Sequence, residues 1–132
     1  VSVMLHVAGL FLLARYLRHH ARQDAHRPGY AARRVVWRVM SAVIGVLALH
    51  TIEAWGWALA YLACGEFVDL ERALYFSVAT ATTLGFGDIT LTPRWQLLST
   101  FEAMGGLILF GASTAFLLEV MRRLLAGPDS EE

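Results

Sequence analysis

Residues 35–63 and 96–120 form two stretches so apolar that only isolated ionisable groups interrupt them, His50, Glu53 and Glu102 among them. At about 1.5 Å per helical residue, either stretch is long enough to cross a hydrocarbon layer of about 30 Å. Inside such a layer the backbone must satisfy its own hydrogen bonds, so each stretch has to be a helix. Composition agrees, since 57% of the chain is hydrophobic and the mean hydropathy is +0.52, values typical of integral membrane proteins. The length of 132 residues suits one compact helical bundle. A formal net charge of zero conceals segregated charges, and nothing in the balance points to nucleic acid. The single cysteine, Cys64, excludes an intrachain disulfide and reads as a small apolar filler near a helix end.

Residues 1–17 are apolar apart from Ser2, His6 and Arg15 and just reach across a bilayer. Their arginines follow the apolar run, whereas a signal peptide has its positive charges first, so a retained transmembrane helix is expected. Residues 18–34 form a basic connection with Pro28-Gly29 as its turn. A second helix is predicted over residues 35–63, with Trp55, Trp57 and Tyr61 suited to an interfacial belt. Asp69 is placed to cap a shorter helix from Leu70 to about Thr82, too short to span and therefore re-entrant. The last helix is predicted over residues 96–120, and residues 124–132 form a short tail. Nine of the eleven arginines fall between the first two helices or at the end of the last one. The positive-inside rule then predicts an outside N-terminus and a cytoplasmic C-terminus. Arg15, Arg18 and Arg22 lie at a helix end, which suits anchoring at the lipid surface better than voltage sensing.

Between the short helix and the last one lies Thr80-Ala81-Thr82-Thr83-Leu84-Gly85-Phe86-Gly87-Asp88. Two glycines around one bulky residue give the backbone access to positive φ. A segment of that kind can turn successive carbonyl oxygens toward one axis, where they replace the water around a cation.

The motif, preceded by a half-length apolar helix and followed by a full-length one, resembles the filter of potassium channels. Residues 35–123 are similar to that family's whole pore domain. The resemblance implies an all-α membrane protein: an extra N-terminal transmembrane helix, as in small bacterial three-helix members, then an outer helix, a re-entrant pore helix with its filter loop, and an inner helix. It implies a passive K+ channel and no enzyme. Thr83, Leu84, Gly85, Phe86 and Gly87 would be the selectivity filter, with K+ held at Thr83, Leu84, Gly85 and Phe86. Asp88 would stand at the outer mouth. Each chain supplies one quarter of each oxygen cage, so the partners are three identical subunits, a homotetramer, together with the lipid bilayer. The expected location is a bacterial inner membrane; no cofactor is expected, with K+ as the permeant ion.

Two departures from the family pattern concern filter support. Phe86 replaces a commoner tyrosine, removing a hydroxyl that would tie the filter to pore-helix aromatics, here Tyr75 and Phe76. Ala79 stands where some members have a bracing glutamate. Glu53 and Glu102, at comparable depths in the outer half of the membrane, could compensate. Glu102 is expected to face the back of the pore helix, with Thr80 or Thr82 as hydroxyl donors, and His50 shares a helix face with Glu53. A purely structural carboxylate is the competing account. Gly105 and Gly106 are either an inner-helix hinge or a close packing contact. Phe116 and Leu117 are candidates for a hydrophobic constriction, against a packing role. His19, His20 and His26 read as solvated loop residues or as pH sensors. Rival functions are a weakly selective monovalent cation channel, a non-conducting structural protein, and a metal-binding protein using His50, Glu53 and Glu102, whose spacing matches no tight ligand pattern.

Overall fold

The computed structural model describes residues 2–24 and 31–125. Among them are four α-helices and no strand: α1 (Ser2–Asp24), α2 (Ala31–Ala63), α3 (Leu70–Ala81) and α4 (Gln96–Leu125). The Pro28-Gly29 turn, His26, Arg27 and residues 126–132 lie outside the described residues. Two helices are long and apolar enough to cross a membrane, Arg33–Ala63 and Gln96–Leu124. Only 11% and 17% of their apolar windows are buried within the chain. The central helix of a soluble domain would be mostly buried, so these two helices suit a membrane instead.

Both flanking helices extend into the basic connection. α1 continues to Asp24 and α2 begins at Ala31, so both ends of residues 18–34 are helical. Arginine is a good helix former, and positive charge alone does not end a helix. α1 is long enough to span at 23 residues, but its apolar part stops before Arg18 and it is less apolar than the two helices above.

α1 lies on α2 through a reciprocal fit. Leu49 fills the space where Gly9 has no side chain, and Leu13 does the same at Gly45. Such small-residue notches let helix axes approach closely. The short α3 begins as the sequence pattern predicts, with Asp69 extended at the N-cap and its Oδ1 accepting from the Arg72 amide at 2.9 Å. α3 packs against α2 and α4. Tyr61, Phe76 and Leu91 form the aromatic-rich core around its N-terminal half, with Trp57, Phe67, Trp95 and Leu98 packed on it. The Tyr61 and Phe76 rings meet edge to face, 5.2 Å between centroids, a favoured arrangement. Glu66 ties the two connections together: the Thr92 amide and hydroxyl donate to its carboxylate at 2.7 and 2.6 Å. That pair fastens the connection before α3 to the connection after it.

Candidate functional site

Where α3 ends, the backbone changes hand repeatedly. Thr83, Gly85 and Gly87 have φ of 58°, 51° and 75°, and Thr83 is the one non-glycine residue with positive φ among the described residues. Holding threonine in that region costs about 1–2 kcal/mol, so local bonds must enforce it. The Thr83 amide donates to the Thr80 carbonyl at 3.0 Å, and the amides of Leu84 and Gly85 both donate to the Ala79 carbonyl at 2.9 and 3.2 Å. The loop is therefore hung from the last turn of α3. Thr82 spends its hydroxyl on the Val78 carbonyl, 2.7 Å away. A side chain at Gly87 would meet open space, so conformation, not crowding, calls for glycine there.

From Thr82 to Asp88 every residue is exposed in the single chain, with Leu84 at 55% and Phe86 at 68%. Large apolar side chains left open beside a strained loop belong against something outside the chain. Asp88 is oriented by Tyr75, whose hydroxyl donates to Oδ2 at 2.9 Å. That hydrogen bond to a carboxylate holds the Tyr75 phenol above its ordinary pKa. Phe76 points elsewhere, into the core with Tyr61 and Phe67.

Behind α3 sits a buried polar relay. Glu102 is 1% exposed, and its carboxylate accepts from Ser77 Oγ at 2.6 Å and from Tyr61 Oη. Ser77 Oγ also lies 3.0 Å from the Ala54 carbonyl. One side chain of α4 thus joins α2 and α3. Glu102 does face the back of α3, but its donors are Ser77 and Tyr61, not Thr80 or Thr82. Ser77 lies one turn earlier on the face toward α4, while Thr82 is already bonded to its own helix.

Gly105 and Gly106 lie in an unbroken stretch of α4. At Gly106 a Cβ would collide with the Ala81 backbone, whereas at Gly105 it would meet nothing. The pair therefore splits: Gly106 lets α4 pass directly against the root of the loop, and Gly105 has no close neighbour.

A second polar cluster lies apart from Glu102. His6 Nδ1 is 3.1 Å from Glu53 Oε1, and His50 Nδ1 is 3.4 Å from Glu53 Oε2. The Nε2 atoms of His6 and His50 lie 2.9 and 3.1 Å from Ser113 Oγ. The trio of His50, Glu53 and Glu102 is thus not one constellation, because Glu102 is taken up by Ser77 and Tyr61 while His6 joins the other two. The sequence reading assigned no site role to His6, Ser113 or Ser77, and Tyr61, expected in an interfacial belt, is instead fully buried because its hydroxyl is drawn to Glu102. His6 and Ser113 stand out only as polar residues within apolar runs, and nothing local pairs them.

Residues 47–123 match a protein family described as ion channel. Over 100 residues the chain is 34% identical to the inward rectifier potassium channel Kirbac3.1 of Paramagnetospirillum magnetotacticum, a match covering 70% of this chain and 33% of that protein. The chain thus spans about a third of the length of the curated relative it matches. No solved structure matches it significantly.

Proposed function

The chain belongs to the ion channel family, and from that premise we propose that it is a potassium-selective channel whose filter is formed by residues 83–87 of four identical chains. The observation that carries the proposal is the alternation of positive φ at Thr83, Gly85 and Gly87 in an exposed loop. In a strand, successive carbonyls point to opposite sides. Residues that alternate in hand keep successive peptide planes on one side, so their oxygens line one axis. Leu84 and Gly85 contribute their amides to Ala79, which leaves the loop's carbonyls as its inward-facing chemistry. Four such loops around an axis make stacked cages of oxygens that replace the hydration shell of K+. K+ is the permeant ion, and no further cofactor is needed.

The roles of the remaining parts follow. α2 is the outer helix, α3 the re-entrant pore helix and α4 the inner helix. The C-terminal end of α3 directs its partial negative charge toward the ion path. Glu102, Ser77 and Tyr61 brace α3 from behind, and Tyr75 holds Asp88 at the outer mouth. α1 precedes the pore domain as a third membrane helix, and the protein sits in a bacterial inner membrane with its N-terminus outside and its basic connection in the cytoplasm. The exposed faces of α2 and α4 meet lipid and the neighbouring subunits.

Flux into liposomes containing the purified protein tests this reading. Uptake of K+ well above Na+, blocked by Ba2+, is expected. Equal K+ and Na+ uptake would replace it with a weakly selective cation channel, and no uptake of either would refute conduction.

A further inference from the structure

The His6, His50, Glu53 and Ser113 cluster is not used by the proposed ion path. It joins three helices: His6 comes from α1, His50 and Glu53 from α2, and Ser113 from α4. It is well enclosed, with side-chain exposures of 0% for His6, 8% for Glu53 and 15% for His50. The rings are also fixed in place, since His50 stacks on Phe110 at 4.2 Å and lies 4.8 Å from the His6 ring.

Its hydrogen count is the informative feature. Three hydrogen bonds join the two imidazoles to Glu53 and Ser113, and His50 Nδ1 approaches Glu53 Oε2 at 3.4 Å without one. Two neutral imidazoles, a carboxylate and a hydroxyl bring three hydrogens, so one Nδ1 is left with a bare lone pair beside the carboxylate. A metal ion between them removes that repulsion. If both Nδ1 atoms and the Glu53 carboxylate ligate a cation, both Nε2–H groups donate to Ser113 Oγ, which has two lone pairs to receive them. Ser113 then fixes the tautomer of both ligands, the usual task of an outer partner in a histidine metal site.

Distances fit the same picture. A tetrahedron with metal–ligand arms of about 2.0–2.1 Å has edges of about 3.3 Å. Here each imidazole Nδ1 lies against its own oxygen of the Glu53 carboxylate, at 3.1 and 3.4 Å, and one ligand atom from each of the three residues lies within 4.8 Å of the others. A cleft of about 500 Å³ is lined by His50 and Glu53, so the cluster has an open side.

We propose that His6, His50 and Glu53 form a binding site for a divalent transition metal of the zinc class, oriented by Ser113, which fastens α1 to the pore helices. Two imidazoles and one carboxylate suit zinc better than the oxygen-seeking Mg2+ or Ca2+. The site is independent of whether the filter conducts.

Metal content and Zn2+ titration of the purified full chain in detergent test it. One zinc per chain is expected, with a thermal midpoint that rises on adding Zn2+ and no comparable rise with Mg2+. H6Q, H50Q and E53Q should each abolish stoichiometric binding, while S113A should weaken it about 10–100-fold. H19Q/H20Q, on the helix end away from the site, should leave it intact. Should a ligand variant fail to fold, Co2+ bound to the unaltered chain gives a separate readout, the visible absorption of a four-coordinate site. Absence of stoichiometric zinc, zinc retained in H6Q and E53Q, or loss of binding in H19Q/H20Q would overturn the proposal. Because none of these readouts involves conduction, a failed flux assay does not affect it.

Discussion

Replacing Glu102 by alanine removes the one group that accepts from both Ser77 and Tyr61. Both donors are fully buried, so neither hydroxyl can turn to water. A buried polar group left unpaired costs about 1–3 kcal/mol, which puts the loss for two at about 2–6 kcal/mol, before any contribution from the space vacated. Ser77 recovers part of this by turning its hydrogen to the Ala54 carbonyl, 3.0 Å away. Tyr61 has no such second acceptor in the relay, so the expected net loss is about 2–4 kcal/mol. Glutamine has nearly the same shape. Its carbonyl accepts from Tyr61, and its amide donates to Ser77, whose own hydrogen then goes to Ala54. Glu102→Gln should therefore cost under about 1 kcal/mol. Reversible unfolding of the purified protein in mixed micelles, followed by circular dichroism, measures the two variants against the parent chain. K+ flux into liposomes then reports whether α3 still supports the loop. Equal destabilisation by Gln and Ala would refute the reasoning, because charge and not hydrogen-bond geometry would then hold the helices. An alanine variant as stable as the parent would refute the brace altogether.

Gly106→Ala places a methyl against the Ala81 backbone and should cost about 1–3 kcal/mol of overpacking; Gly105→Ala meets open space and should be neutral or stabilising by up to about 1 kcal/mol, both read by thermal unfolding. Gly85→Ala, at φ 51°, should abolish K+ flux while leaving the helical circular dichroism unchanged. Asp69→Ala removes the N-cap of α3 and should lower stability by about 1 kcal/mol. For Tyr75, the bond to Asp88 raises the phenol's pKa, so its contribution is complete below the ordinary tyrosine value of about 10 and is lost as pH rises through the raised one. Flux should accordingly be flat through neutral and mildly alkaline pH and fall only beyond the ordinary tyrosine range, and Tyr75→Phe should lack that alkaline step.

Helices were legible wherever a run of apolar residues met a cap, as at Asp69 and α3, because both signals act over a few neighbouring positions. Arginine favours a membrane surface without ending a helix, so the charges of residues 18–34 leave open where α1 and α2 stop. At the site, the glycine spacing of residues 85–87 is readable because positive φ is a local property. That Glu102 would meet Ser77 and Tyr61 was not, since which of the α3 hydroxyls faces α4 depends on the rotation of two helices about their axes. His6 is the clearest case. Its partner Glu53 is 47 positions away, and the two meet through the packing of α1 on α2, where Gly9 and Gly45 receive Leu49 and Leu13.

The bare crossing at Gly106 has a mechanical consequence. Between most packed helices a layer of side chains acts as a cushion, so a small turn of one is absorbed by rotamer changes before the other moves. Where α4 passes Ala81 there is no cushion, only backbone on backbone, and Ala81 stands two residues from Ala79, whose carbonyl suspends Leu84 and Gly85. Rolling α4 toward that crossing pushes on the suspension point itself. In the proposed channel a displacement at the inner helix and the shape of the filter are therefore linked without slack, and one steric contact can transmit in either direction.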